Sequence, residues 1–186
     1  MERAKAERTV DGGVEGAGSA AVTVERVEAE AARDTQEVGR RLGRRLRAGD
    51  LVILSGELGA GKTTFTQGLA EGLNVRGPIT SPTFVIARVH PSLGGGAPLV
   101  HVDAYRLGSL AELDDLDLDT SVEDSVTVVE WGEGKAEVLS GQRLEVRIER
   151  ARADDADSVD GPDRRVITVL AHGAGIADRF ADDSES

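Results

Sequence analysis

Leu51-Val-Ile-Leu-Ser-Gly56-Glu-Leu-Gly-Ala-Gly61-Lys62-Thr63-Thr64-Phe65 is the stretch that decides how the rest of the chain reads. Its first four residues are uniformly apolar, as expected of a strand buried on both faces. Gly56 to Thr63 matches G-x-x-x-x-G-K-[ST], and Phe65, Leu69 and Leu73 then follow at the spacing of one helix face. Roughly 0.5 % of shuffled chains of this composition would carry the loop pattern by chance. The strand before it and the helix after it narrow that further. Glycines let backbone N–H groups turn onto phosphate oxygens, and the helix N-terminus adds partial positive charge. In such a loop Lys62 reaches the β- and γ-phosphates, and the Thr63 hydroxyl ligates magnesium. Gly59, Ala60, Gly61, Lys62, Thr63 and Thr64 are therefore the predicted nucleotide contacts. The chain has three lysines, Lys5, Lys62 and Lys135, against nineteen arginines, yet it keeps a lysine here. A compact ammonium fits between phosphates where a planar guanidinium does not.

Outward from the loop, strand and helix patterns alternate. Val22, Val24 and Val27 predict a short strand. Asp34-Thr35-Gln36-Glu37 resembles a capping box, with Val38, Leu42 and Leu46 at helical spacing and Gly49 as C-cap. Strands are predicted at 83–89, 99–102 and 126–129, with a flexible connection at 91–98. Ser109-x-x-Glu112 opens an acidic helical stretch running to about Asp124, and a short helix is predicted around Lys135 to Leu139. Leu144, Val146 and Ile148 alternate with charged residues, as do Val166, Thr168 and Leu170 less strictly, predicting two antiparallel strands. The whole predicts an α/β fold: a P-loop NTPase-like mixed β-sheet with helices on both faces, in a single domain. That domain spans 21–173 and includes a mobile acidic loop at 151–164. A disordered leader is expected at 1–20 and a disordered acidic tail at 174–186.

Composition narrows the function classes. The chain has 186 residues, with 22 basic and 34 acidic residues and a formal net charge of −12. A chain so acidic is a poor candidate for binding nucleic acid by itself, because phosphate neutralisation supplies most non-specific affinity. Arg40, Arg41, Arg44, Arg45 and Arg47 cluster, and read as a solvated helix face. There are no cysteines, which excludes disulfides and a thiol nucleophile. No stretch of 18 apolar residues occurs, so a soluble, cytoplasmic protein is expected. The three histidines have no metal-ligand spacing; His101 is expected inside the sheet as a hydrogen-bonded core residue, with no zinc site. Partly buried packing is the expectation for Trp131.

Hydrolysis at a phosphate loop also needs carboxylates at strand ends, to hold magnesium and to orient a water. Asp103 follows Leu99-Val-His-Val and Glu130 follows Val126-Thr-Val-Val, and both are candidates. Ser81-Pro82-Thr83 is either a γ-phosphate sensor or a turn fixed by Pro82. A guanine-reading [NT]-K-x-D element is absent, since the three lysines are followed by Ala-Glu, Thr-Thr and Ala-Glu. A small-molecule kinase, with Arg76, Arg88 or Arg106 on a lid, stays open as an alternative, as does a nucleotide-binding regulatory protein without turnover.

Four motifs occur in order: Gly56-Glu-Leu-Gly-Ala-Gly-Lys-Thr-Thr-Phe65, Ser81-Pro-Thr-Phe84, His101-Val-Asp-Ala-Tyr-Arg-Leu107 and Val129-Glu-Trp-Gly-Glu133. Together they resemble the TsaE family, the ATPase subunit of the bacterial machinery that makes threonylcarbamoyladenosine in tRNA. The resemblance covers about residues 22–172. It implies binding and hydrolysis of ATP with Mg2+ in complex with TsaD and TsaB, with tRNA met only through the complex. It implies catalytic roles for Lys62, Asp103 and Glu130, a metal site at Thr63 and Glu130, and Thr35 close to the nucleotide. Turnover is expected to be slow alone and stimulated by the partners. Two departures from the family pattern stand out: Gly132 in place of a proline, and long loops at 91–98 and 151–164.

Overall fold

Leu51–Ser55 (β2) is buried at every position because it has strands on both sides and layers on both faces. The computed structural model describes residues 21–81, 87–106, 122–150 and 164–181. The predicted leader, Pro82 and Thr83, the Ser109-x-x-Glu112 capping box and residues 151–163 lie outside them. β1 is Val22–Ala29, β3 Ala87–His90, β4 Leu99–Asp103, β5 Val126–Glu130, β6 Arg143–Arg150 and β7 Arg165–His172. They form one seven-stranded sheet in the order β1-β7-β6-β2-β5-β4-β3. β2 pairs parallel with both β5 and β6, and β4 pairs parallel with β5. β1–β7, β6–β7 and β3–β4 are antiparallel, so the sheet is mixed.

Strand alternation splits the core in two. Val52, Leu54, Val128, Val146 and Val169 face the layer made by Ala32–Arg45 (α1), Lys62–Leu73 (α2) and Ala174–Ala181 (α3). Leu51, Ile53, Val102 and Val129 face the other way, onto Ala136 of a single 3₁₀ turn, Ala136–Leu139. The two long helices cross with their backbones nearly touching. A Cβ added at Gly68 of α2 would lie 1.9 Å from the carbonyl oxygen of Gln36 in α1, so only glycine allows this approach. That contact brings Thr35, near the start of α1, alongside the phosphate loop.

Four local expectations need correction. α1 begins at Ala32, earlier than the capping-box reading placed it. Asp34 sits at the third helical position, and its carboxylate accepts from the N–H groups of Glu30 and Ala31 at 3.1 and 2.9 Å. The helix ends at Arg45 with Leu46 extended, and Gly49, at φ +90°, belongs to the next turn. The segment expected as a disordered tail forms α3 as far as Ala181. Ile176, Ala177 and Phe180 lie on one helical face and are buried in the core. Arg45 lies 4.3 Å over the Phe180 ring and donates to the Phe180 carbonyl at 3.1 Å, which caps the helix end. Arg179 donates to both carboxylate oxygens of Asp50 at 2.6 and 2.7 Å. The arginine cluster is thus only partly a solvated face, because Arg45 serves α3. Together these elements make one α/β domain.

Candidate phosphate and metal site

The site lies where the parallel strands end. The loop leaves the C-terminal end of β2. Glu130 closes β5, in register with Leu54, and Asp103 closes β4, in register with Glu130. Topology alone therefore places two carboxylates beside the start of α2, at the strand ends where open α/β sheets bind ligands.

Lys62 is 5 % exposed, and its ammonium donates to the carbonyls of Gly56 and Glu57 at 2.8 and 2.9 Å. It also stands 3.6 Å over the Trp131 ring. Burial lowers the Lys62 pKa from its ordinary value, while the carboxylates of Glu130 and Asp103 pull it back up. The Thr63 hydroxyl lies 3.3 and 3.4 Å from the two Glu130 carboxylate oxygens. His101, fully buried, holds one of those oxygens through Nε2 at 2.9 Å. A carboxylate only accepts, so Nε2 must carry the hydrogen. Asp103 is held from both sides: Ser81 donates its hydroxyl at 2.9 Å, and the Tyr105 N–H donates at 2.9 Å. The cleft encloses about 460 Å³, and Gly59, Gly61, Lys62, Thr63, Thr64 and Ser81 are among its lining residues.

The oxygen donors that converge here, from Thr63, Glu130 and Asp103, are hard ligands suited to magnesium. Among the described residues no group of three or more His, Asp or Glu could hold a metal ion alone. Two expected contacts sit differently from the rest. Ala60 buries its side chain in the core, so only its backbone is available to the loop. Thr35 packs behind Gly61, fully buried, with its hydroxyl lacking a hydrogen-bond partner.

Trp131, Tyr105 and Arg165 line the cleft as well, and motif spacing assigned them no role. Trp131 has φ +60°, an uncommon conformation for a non-glycine residue, and its ring lies 5.1 Å from that of Tyr105 at 57°. The signal available in the sequence was its place directly after Glu130 at the end of a buried strand. The neighbouring Gly132 has no room for a side chain, since a Cβ there would meet Val129 Cγ1 at 2.8 Å. None of Arg76, Arg88 and Arg106 is among the residues lining this cleft.

Residues 29–159 match the family described as "Threonylcarbamoyl adenosine biosynthesis protein TsaE". The tRNA threonylcarbamoyladenosine biosynthesis protein TsaE of Streptomyces coelicolor is 65 % identical over 147 residues, covering 78 % of this chain and 93 % of that protein. Its namesake in Mycobacterium tuberculosis is 54 % identical over 150 residues, covering 77 % of this chain and 85 % of that one. The crystal structure of YdiB from Bacillus subtilis superposes with a TM-score of 0.66 at 29 % identity, covering 88 % of this chain and 94 % of that chain. With a matching fold, a complete phosphate loop and this degree of identity over most of its length, the chain belongs to the TsaE family.

Proposed function

We propose that this protein binds ATP with magnesium and hydrolyses it, as the ATPase subunit that supports TsaD and TsaB in threonylcarbamoyl modification of the tRNA adenosine 3′ of the anticodon. Membership in the family ties it to threonylcarbamoyladenosine biosynthesis. The observation that carries the enzymatic reading is the contact between Glu130 and the Thr63 hydroxyl, with Asp103 in register beside them. A binding-only loop has no need of two buried carboxylates at neighbouring strand ends, one of them against the Thr63 hydroxyl.

In this reading, Lys62 exchanges its ring and carbonyl contacts for phosphate oxygens. Thr63 and Glu130 would hold magnesium, which would supply positive charge to offset that of the phosphates. Glu130 also orients the attacking water, and His101 keeps its carboxylate aimed. Asp103 is held rigid by Ser81 and Tyr105 and completes the acidic wall. The cleft is open to water, so stabilisation of the developing charge is weak until a partner covers it. The decisive experiment measures phosphate release from the protein alone, with TsaD and TsaB, and with a panel of metabolites. Slow release alone, raised by the two proteins, is expected. Full speed alone, or stimulation only by a metabolite that becomes phosphorylated, would refute it in favour of a kinase.

A further inference from the structure

Arg165 opens β7 and is only 7 % exposed, although it stands at the mouth of a polar hairpin. Its Nε–H donates to the carbonyl of Ala60 at 2.6 Å. Its register partner on β6, Arg150, is exposed and donates to the carbonyl of Gly59 at 3.3 Å. Two successive peptide units of the loop are therefore gripped by the end rung of β6 and β7.

The geometry has a chemical consequence. No peptide bond among the described residues is cis, and a trans peptide carries its C=O and N–H on opposite sides. With the Ala60 carbonyl turned onto Arg165, the N–H of Gly61 is fixed pointing away from it. Inward-pointing backbone N–H groups are what bind phosphate in such a loop. A charge-assisted bond to the carbonyl also polarises its own peptide unit, which makes that N–H a better donor. The loop glycines accommodate the arginines. A Cβ at Gly61 would lie 3.2 Å from Arg165 Nε, and one at Gly59 would lie 3.1 Å from the terminal nitrogen of Arg150; both residues have positive φ.

We propose that Arg165, seconded by Arg150, is a positioning residue for nucleotide phosphate binding: it sets the orientation of the loop backbone through its bond to the Ala60 carbonyl. This rests on the nucleotide-binding reading above. Lysine would not replace it fully, because it offers a mobile point charge and no Nε–H at that depth.

The test is calorimetric Kd for ADP and ATP, with amide hydrogen exchange at Gly61, on Arg165→Met, Arg165→Lys, Arg150→Met and Lys62→Ala. Arg165→Met should raise Kd about tenfold, Arg165→Lys less, and Arg150→Met about twofold. Exchange at Gly61 should quicken in the same order. A merely structural role would lower the melting temperature and leave Kd of the folded protein unchanged. If Arg165→Met fails to fold, Arg165→Lys and Arg150→Met decide alone. Parental Kd in both, with Lys62→Ala still weakened, overturns the brace and spares the phosphate site. Parental Kd in Lys62→Ala as well would sink the nucleotide reading, and the brace with it.

Discussion

The two halves of the sheet are made to different rules. β2, β5 and β4 run parallel and are apolar at nearly every position, and β5 and β4 end in acids, Glu130 and Asp103. β1, β7 and β6 run antiparallel and alternate along β7, and their shared end rung carries Arg165 and Arg150. The parallel half brings two acids, and the antiparallel half brings Arg165, to the cleft at the phosphate loop. In the proposed reading the first half reacts and the second holds the loop backbone through the carbonyls of Ala60 and Gly59.

Breaking the holding half should cost stability before activity. Phe180 is 1 % exposed and anchors α3 against the antiparallel strands. Phe180→Ala should destabilise the domain by about 3–5 kcal/mol in a urea titration. Nucleotide affinity of the remaining folded protein, measured at low temperature, should hardly change. Breaking the reacting half should do the reverse. Lys62→Ala should lower ATP affinity about a hundredfold, while the free energy of unfolding falls by about 1–3 kcal/mol, less than in Phe180→Ala. Equal damage to both properties in either variant would mean that the halves are not separable.

A smaller effect tests the antiparallel half through pH. Glu145 on β6 is paired with Arg147 at 2.8 Å and His172 at 2.9 Å. Burial raises its pKa, but the bonds from Arg147 and then His172 win, leaving it below the ordinary 4.5. The folded state therefore favours the charged carboxylate. Its contribution is present above the ordinary value and drains away as pH falls through the lowered one. Glu145→Gln should remove about 1 kcal/mol at neutral pH and flatten the loss of stability below pH 4.5. An acid slope unchanged in that variant would assign the effect to other carboxylates.

The same contrast governs how much could be read from sequence. Leu51 to Thr63 is legible because a strand buried on both faces must be continuously apolar, and because phosphate binding fixes glycine, lysine and hydroxyl at set intervals. Asp103 and Glu130 are legible as the first acids after such runs. α3 was obscured by its acidic surroundings, in which three apolar residues carry the packing. Asp34 caps from inside the helix, so its position predicts the boundary poorly. Arg165 is one of nineteen arginines, and no spacing distinguishes it; only strand register brings it to Ala60. His101 was legible as a core residue, but its partner Glu130 lies on another strand, 29 residues away.

The claim that the parallel half is a reacting site, and not only a binding site, rests on Glu130. It is tested most directly by single-turnover hydrolysis and ATP Kd on Glu130→Gln, which keeps the shape and removes the charge, with TsaD and TsaB present. The account predicts Kd within about threefold of the parent and hydrolysis slowed about a hundredfold or more, because orienting water matters chiefly in the transition state. Hydrolysis at the parental rate would contradict it and leave Glu130 as the end of a strand.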